Sequence, residues 1–157
     1  MPAYLAHEVG PAALFTRLQR VGIHLEVLQR EAMVDVEVTF GDFVILATLH
    51  REPPPHELPV SQIASYILRP MGSISQALDR IEHEGLVART HDATDRRRVI
   101  VTLTEQGAMV VDRAQQSYER VRLRVFDRLT NGELSAIDGA VTTLLGAFDA
   151  DYEENNT

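Results

Sequence analysis

The chain contains no cysteine and no lysine. The first absence excludes disulfides, cysteine-ligated zinc and thiol-based redox sensing, leaving four methionines as the only sulfur. The second makes all 15 basic residues arginine, each a planar fork suited to phosphates and narrow grooves. Long apolar runs are also missing, since no stretch approaches the roughly 18 residues of a membrane span. The opening segment MPAYLAHEVG lacks a basic region followed by an apolar one, so the expectation is a cytoplasmic chain with no secretory signal and no membrane partner. No phosphate loop, nucleophile elbow or paired-acid arrangement stands out from ordinary surface charge. No catalytic residue, no cofactor and no enzymatic activity are therefore expected. Six histidines raise the question of a metal, but none of His7, His24, His50, His56, His83 and His91 lies three or four residues from another. Helix-borne zinc chelation is unsupported.

What is present suits one domain, or one small module with helical extensions, in 157 residues. Hydrophobic residues make up 45% and charged ones 24%, the composition of an ordinary globular protein. The net charge of -8 argues against nucleic acid as a partner, because phosphate binding draws on cations. Its distribution is uneven. Residues 66–100 hold six arginines (Arg69, Arg80, Arg89, Arg96, Arg97, Arg98) against five acids, while the remainder holds nine cations against 18 acids.

Apolar periodicity organises the chain. Leu14, Leu18, Val21, Leu25 and Leu28 alternate gaps of four and three, the stripe of an amphipathic helix from Pro11 to about Val34. Thr39-Phe40-Gly41-Asp42 opens a second apolar run, Phe43 to Leu49, and the prolines from Pro53 to Pro59 then form a connecting loop. Val60 to Leu68 reads as a short helix that Arg69-Pro70 breaks, with Gly72 in the turn. From Ser73 to Glu84, Ile74, Ala77, Leu78 and Ile81 make a narrow apolar stripe, and Gly85 occupies the stop position that favours positive φ. The period then changes to alternation: Leu86 to Arg89 and Val99 to Leu103 predict two strands around a charged tip, His91 to Arg98. Thr104 sits as an N-cap before a long helix reaching Leu129. Thr130-Asn131-Gly132-Glu133 has capping-box spacing for a last helix through Phe148, and the acidic tail from Asp149 is expected to fray.

Two short helices joined by a tight turn, the second exposing small hydrogen-bonding side chains, match a helix-turn-helix whose second helix enters the major groove. Ser73, Ser75, Gln76 and Arg80 are its candidate DNA-facing residues, Gln76 being the side chain best suited to an adenine edge. The hairpin behind it supplies a wing. Three consecutive arginines, Arg96, Arg97 and Arg98, stand at its tip, where alternation in an extended segment would point Arg96 and Arg98 one way and Arg97 the other. Such a tip suits a minor groove, whose negative potential attracts inserted arginine. Asp95 beside them is expected to orient an arginine or close the turn.

These residues also resemble a known family. Gly85-Leu86-Val87-Ala88-Arg89, Asp92, Asp95-Arg96-Arg97 and Val101-Thr102-Leu103-Thr104-Glu105-Gln106-Gly107 resemble the spaced signature of the MarR regulators, and Leu78-Asp79-Arg80-Ile81-Glu82 resembles the motif that precedes it. The resemblance runs from about residue 11 to 148 and is strongest over 72–107. It implies a mainly α fold with a small β-hairpin wing: a winged helix-turn-helix lobe at 40–103, with residues 11–34 and 104–148 as helical dimerisation region. It further implies a homodimer that binds double-stranded DNA at a pseudo-palindromic operator, most simply as a repressor, with Arg97 in the minor groove. Family members often carry an effector pocket for a small aromatic or anionic ligand, for which Arg17, His24, Phe40, Phe43 and His50 are candidates by position. A winged-helix module that binds protein instead of DNA is the alternative, and the acidic balance is its motive.

Overall fold

The computed structural model describes residues 10–67 and 71–155. Six helices and three strands follow in the order α1 (Pro11–Met33), α2 (Phe40–Arg51), β1 (Glu57–Pro59), α3 (Val60–Tyr66), α4 (Met71–His83), β2 (Val87–His91), β3 (Val99–Leu103), α5 (Glu105–Phe126) and α6 (Asn131–Asn155). The chain divides into two compact units between Glu119 and Arg120, within α5.

The first unit holds the core. Ile45, Leu46 and Leu49 of α2, Ile63 of α3, Ile74, Leu78 and Ile81 of α4 and Val101 of β3 are all essentially buried. Leu58, Leu86, Val87, Val111 and Ala114 are buried as well. The sequence directs the helix boundaries locally. Thr39 caps α2 in a capping box, accepting from the Asp42 backbone N–H at 3.1 Å while the Asp42 carboxylate accepts from the Thr39 N–H at 3.0 Å. At the other end of α4, Gly85 takes φ +74°, and the N–H groups of Gly85 and Leu86 donate to the carbonyls of Glu82 and Ile81. That is the paired bonding of a Schellman stop, which aims the chain back into β2.

The sheet has the order β1-β3-β2, antiparallel throughout, with Leu58 opposite Val101 and Arg89 also opposite Val101 from the other side. The expected two-stranded hairpin is therefore a three-stranded sheet, because the end of the proline-rich connector is itself a strand. Three residues and a terminal proline are tolerated there since β1 is an edge, where a missing N–H costs no ladder bond. Two further expectations are corrected. Gly72 lies inside α4 rather than in the turn before it, and α6 continues past Phe148 to Asn155, since no glycine or proline interrupts the sequence after Gly146. Leu68, Arg69 and Pro70, where the break between α3 and α4 is expected, lie outside the described residues, as does His7.

Gly107 explains the glycine near the start of α5. A Cβ there would lie 2.1 Å from the Leu86 carbonyl oxygen and 2.7 Å from Leu103 Cδ1. The helix can approach the base of the hairpin only without a side chain at that point. Thr104 completes the junction: its hydroxyl donates to the Gly85 carbonyl at 2.8 Å and accepts from the Gly107 N–H at 3.0 Å.

In the second unit α6 carries Ile137, Val141, Leu145, Phe148 and Tyr152 at helical spacing, all 44–61% exposed in the single chain. On α1, in the first unit, Leu14, Phe15, Val21 and Leu25 are likewise 40–58% exposed. No described helix is long and apolar enough to cross a membrane.

Candidate nucleic-acid interface

Helix α4 buries Ile74, Leu78 and Ile81 and leaves Ser73, Ser75 and Gln76 exposed, because a period near 3.6 cannot place all six on one side. The polar face of this helix is thus exposed. Arg80 has a different disposition. Its Nε donates to Asp42 Oδ2 at 3.1 Å and its Nη2 donates to Asp42 Oδ1. The Asp42 carboxylate is 1% exposed and the Arg80 side chain 46%. The hydrogen bond that Arg80 donates to Asp42 chiefly raises the Arg80 pKa, against the opposing effect of desolvation. Arg80 therefore ties α4 to the first turn of α2 and keeps only part of its edge toward solvent.

The wing tip is a built loop. One oxygen of Asp92 accepts from the Thr94 N–H at 2.7 Å, the Thr94 hydroxyl at 2.6 Å and the Asp95 N–H at 3.2 Å. The Thr94 hydroxyl and these two backbone N–H groups, with a smaller contribution from Arg98, push the Asp92 carboxyl down to about 2. Asp95 accepts from the Arg97 N–H at 3.0 Å through its side chain and from the Arg98 N–H at 2.9 Å through its carbonyl. It closes the turn, as expected. The expected alternation of Arg96, Arg97 and Arg98 does not hold, because that alternation needs extended backbone and these residues sit in the turn that Asp95 makes. Arg97 and Arg98 instead line one concavity together with Ser75 of α4 and Ser61 of α3. The Arg96 and Arg97 guanidinium groups have no ion-pair partner among the described residues, whereas Arg98 lies 4.0 Å from Asp92.

Arg89, on β2 and part of the spaced motif, lines the same concavity but is not among the candidate DNA-facing residues read from the sequence. Its Nε and Nη2 reach Glu82 Oε2 at 2.8 and 2.5 Å, its Nη2 reaches Asp79 Oδ1 at 2.7 Å, and its backbone N–H donates to Glu82 Oε1 at 3.0 Å. The Arg89 guanidinium holds the Glu82 carboxyl below its ordinary pKa. A signal existed in the spacing of the acids, since Asp79 and Glu82 are three apart and share a helix face.

The residues proposed by position for an effector pocket divide. Phe40 and Phe43 form an aromatic cluster with Tyr118, ring centroids 5.8, 5.3 and 6.2 Å apart. His50 stacks instead on His56 at 5.6 Å. On α1, Arg17 is partly buried and His24 exposed. No group of three or more residues able to hold a metal ion occurs among the described residues.

Known proteins share this fold. The family model described as MarR family matches residues 38–99. The repressor MdtR of Bacillus subtilis, an HTH-type transcriptional repressor, is 28% identical over 143 residues, covering 91% of this chain and 86% of its own. Sco3205 of Streptomyces coelicolor, a MarR family transcriptional regulator solved in complex with DNA, superposes with a TM-score of 0.77 at 21% identity, covering 90% of this chain and 94% of that one. BpsR of Bordetella bronchiseptica, whose DNA binding is regulated by 6-hydroxynicotinic acid, superposes with a TM-score of 0.74 at 22% identity over 83% of this chain and 97% of that one. Residues 38–99 thus match the MarR family model, the spaced motifs at 78–107 resemble those of that family, and the chain shares the fold of its solved members.

Proposed function

We propose that the protein is a sequence-specific DNA-binding transcriptional regulator that acts as a homodimeric repressor on a pseudo-palindromic operator. The observation that carries this reading is the shared concavity of Ser75 with Arg97 and Arg98, beside the exposed Ser73 and Gln76. A helix face rich in hydrogen-bonding groups suits base edges, and wing arginines suit the adjacent groove and its phosphates. DNA affinity in so acidic a chain must be concentrated in this local arginine array. Half-exposed apolar stripes on α1 and α6 favour a second copy, as a two-fold assembly would cover the same stripes on both protomers. Repression is supported by the relative MdtR. The aromatic cluster of Phe40, Phe43 and Tyr118, and the aromatic acid that regulates BpsR, favour a planar anionic effector that releases DNA.

The test is duplex binding as a function of salt. A DNA-reading protein loses affinity steeply as salt rises, with a slope set by the number of phosphates it neutralises. If no duplex is bound even at low ionic strength, the DNA reading fails and a module that binds protein, favoured by the net charge of -8, replaces it.

A further inference from the structure

The recognition surface of α4 carries an acid on the face that would meet a polyanion. Asp79 stands four residues from Ser75 and three from Gln76, hence on the same stripe, and its side chain is 65% exposed. An exposed carboxylate beside phosphates is repulsive unless a cation neutralises it. The cation is Arg89, which reaches across from β2 and grips Asp79 and Glu82 together. Its fork is occupied by these two carboxylates, in contrast to Arg97, whose guanidinium has no ion-pair partner among the described residues.

Resting on the DNA-binding reading above, we propose that Arg89 is a positioning residue for DNA recognition: it locks the recognition helix to the base of the wing and cancels the charge of Asp79, without itself contacting phosphate. Two consequences separate this role from a direct contact. Removing Arg89 should weaken binding without lowering the salt dependence, because no phosphate contact is lost. Removing the Asp79 charge as well should restore affinity, because the repulsion that Arg89 cancelled disappears with it.

The experiment uses the full chain and a labelled duplex that the wild-type protein selects from a random-sequence pool, with affinity measured by anisotropy across a salt series. Arg89→Gln is expected to bind about tenfold more weakly with the wild-type salt slope. Arg89→Gln with Asp79→Asn is expected to recover at least half of that loss on a logarithmic scale. Arg89→Lys, which keeps the charge, should stay within about threefold of wild type. Asp79→Asn alone should bind no more weakly than wild type, a result that does not depend on Arg89→Gln folding. A salt slope reduced by about one in Arg89→Gln would make Arg89 a phosphate contact and overturn the proposal. Absence of recovery in the double variant, or weaker binding by Asp79→Asn alone, would overturn it equally. Failure of the wild-type protein to select any duplex is a separate result, which removes the DNA reading itself.

Discussion

Asp42 and Arg80, 38 residues apart in sequence, clasp each other through two hydrogen bonds that join the first turn of α2 to α4. The clasp is asymmetric: the carboxylate is buried, whereas the guanidinium remains 46% exposed. Asp42 also accepts from the Thr39 backbone and hydroxyl, so one carboxylate caps α2 and anchors α4.

That asymmetry predicts unequal costs. Arg80→Met strands a buried carboxylate and should cost about 2–4 kcal/mol, toward the lower end because Thr39 still donates to it. Asp42→Asn leaves an arginine that water can solvate and should cost about 1–2 kcal/mol. Denaturant melts of the two variants test the order, and a larger loss for Asp42→Asn would contradict it.

Gly107→Ala should destabilise by about 3 kcal/mol, because the new methyl group meets backbone that cannot move aside. Gly72 offers the opposite case, with nothing within 4 Å of its Cβ position. As Gly72 lies inside α4, Gly72→Ala should raise stability by a few tenths up to about 1 kcal/mol. A fall in melting temperature would return Gly72 to a turn.

For Arg97→Ala we expect weaker duplex binding, a salt slope lower by about one and an unchanged oligomeric state. Reduced preference for A·T-rich flanks would accompany it if the guanidinium enters a narrow minor groove. Unchanged affinity would take the wing out of the recognition mechanism.

Substituting the apolar stripe tests assembly. Leu145→Glu on α6, at a position 54% exposed in the single chain, should shift sedimentation toward a monomer, since covering a leucine is worth about 1.5–3 kcal/mol. If the proposed homodimer forms with an unchanged dissociation constant, α6 is not part of the interface.

The Asp92 carboxyl should titrate near 2 in a carbon-detected NMR experiment. Its folded value lies below its unfolded one, so the stabilisation it contributes is complete above about pH 4 and is lost as pH falls toward 2. Wing order should therefore be insensitive to pH between 5 and 8 on this account. Asp92→Ala, which removes the acceptor of three hydrogen bonds, should weaken duplex binding more than Asp92→Asn, which retains an acceptor oxygen. A midpoint at the ordinary carboxylate value would mean that the loop is not held this way.

Much of the helical architecture was legible because it is written in local spacing. The stripe at Ile74, Leu78 and Ile81, the stop at Gly85 and the capping pairs Thr39–Asp42 and Thr130–Glu133 all act over four residues or fewer. What escaped was set at long range. Leu58 becomes strand only by pairing with Val101, and Arg80 is partly engaged at the surface because Asp42 waits on another helix. Arg89 was passed over for the same reason, as a signature arginine shows its partners only when β2 folds against α4. The arrangement of Arg96 to Arg98 depended on a turn that Asp95 creates, which simple alternation could not foresee.

The third strand carries a consequence for the protein at high concentration. A bare hairpin would leave both margins open to strand addition by another molecule. With β1 in place, β3 is interior, and the remaining margins are a three-residue strand ending in Pro59 and a five-residue strand bearing Arg89 and His91. Short, proline-ended or charged margins are poor templates for intermolecular β-pairing. The proline-rich connector thereby shields the sheet from aggregation while leaving the wing tip open.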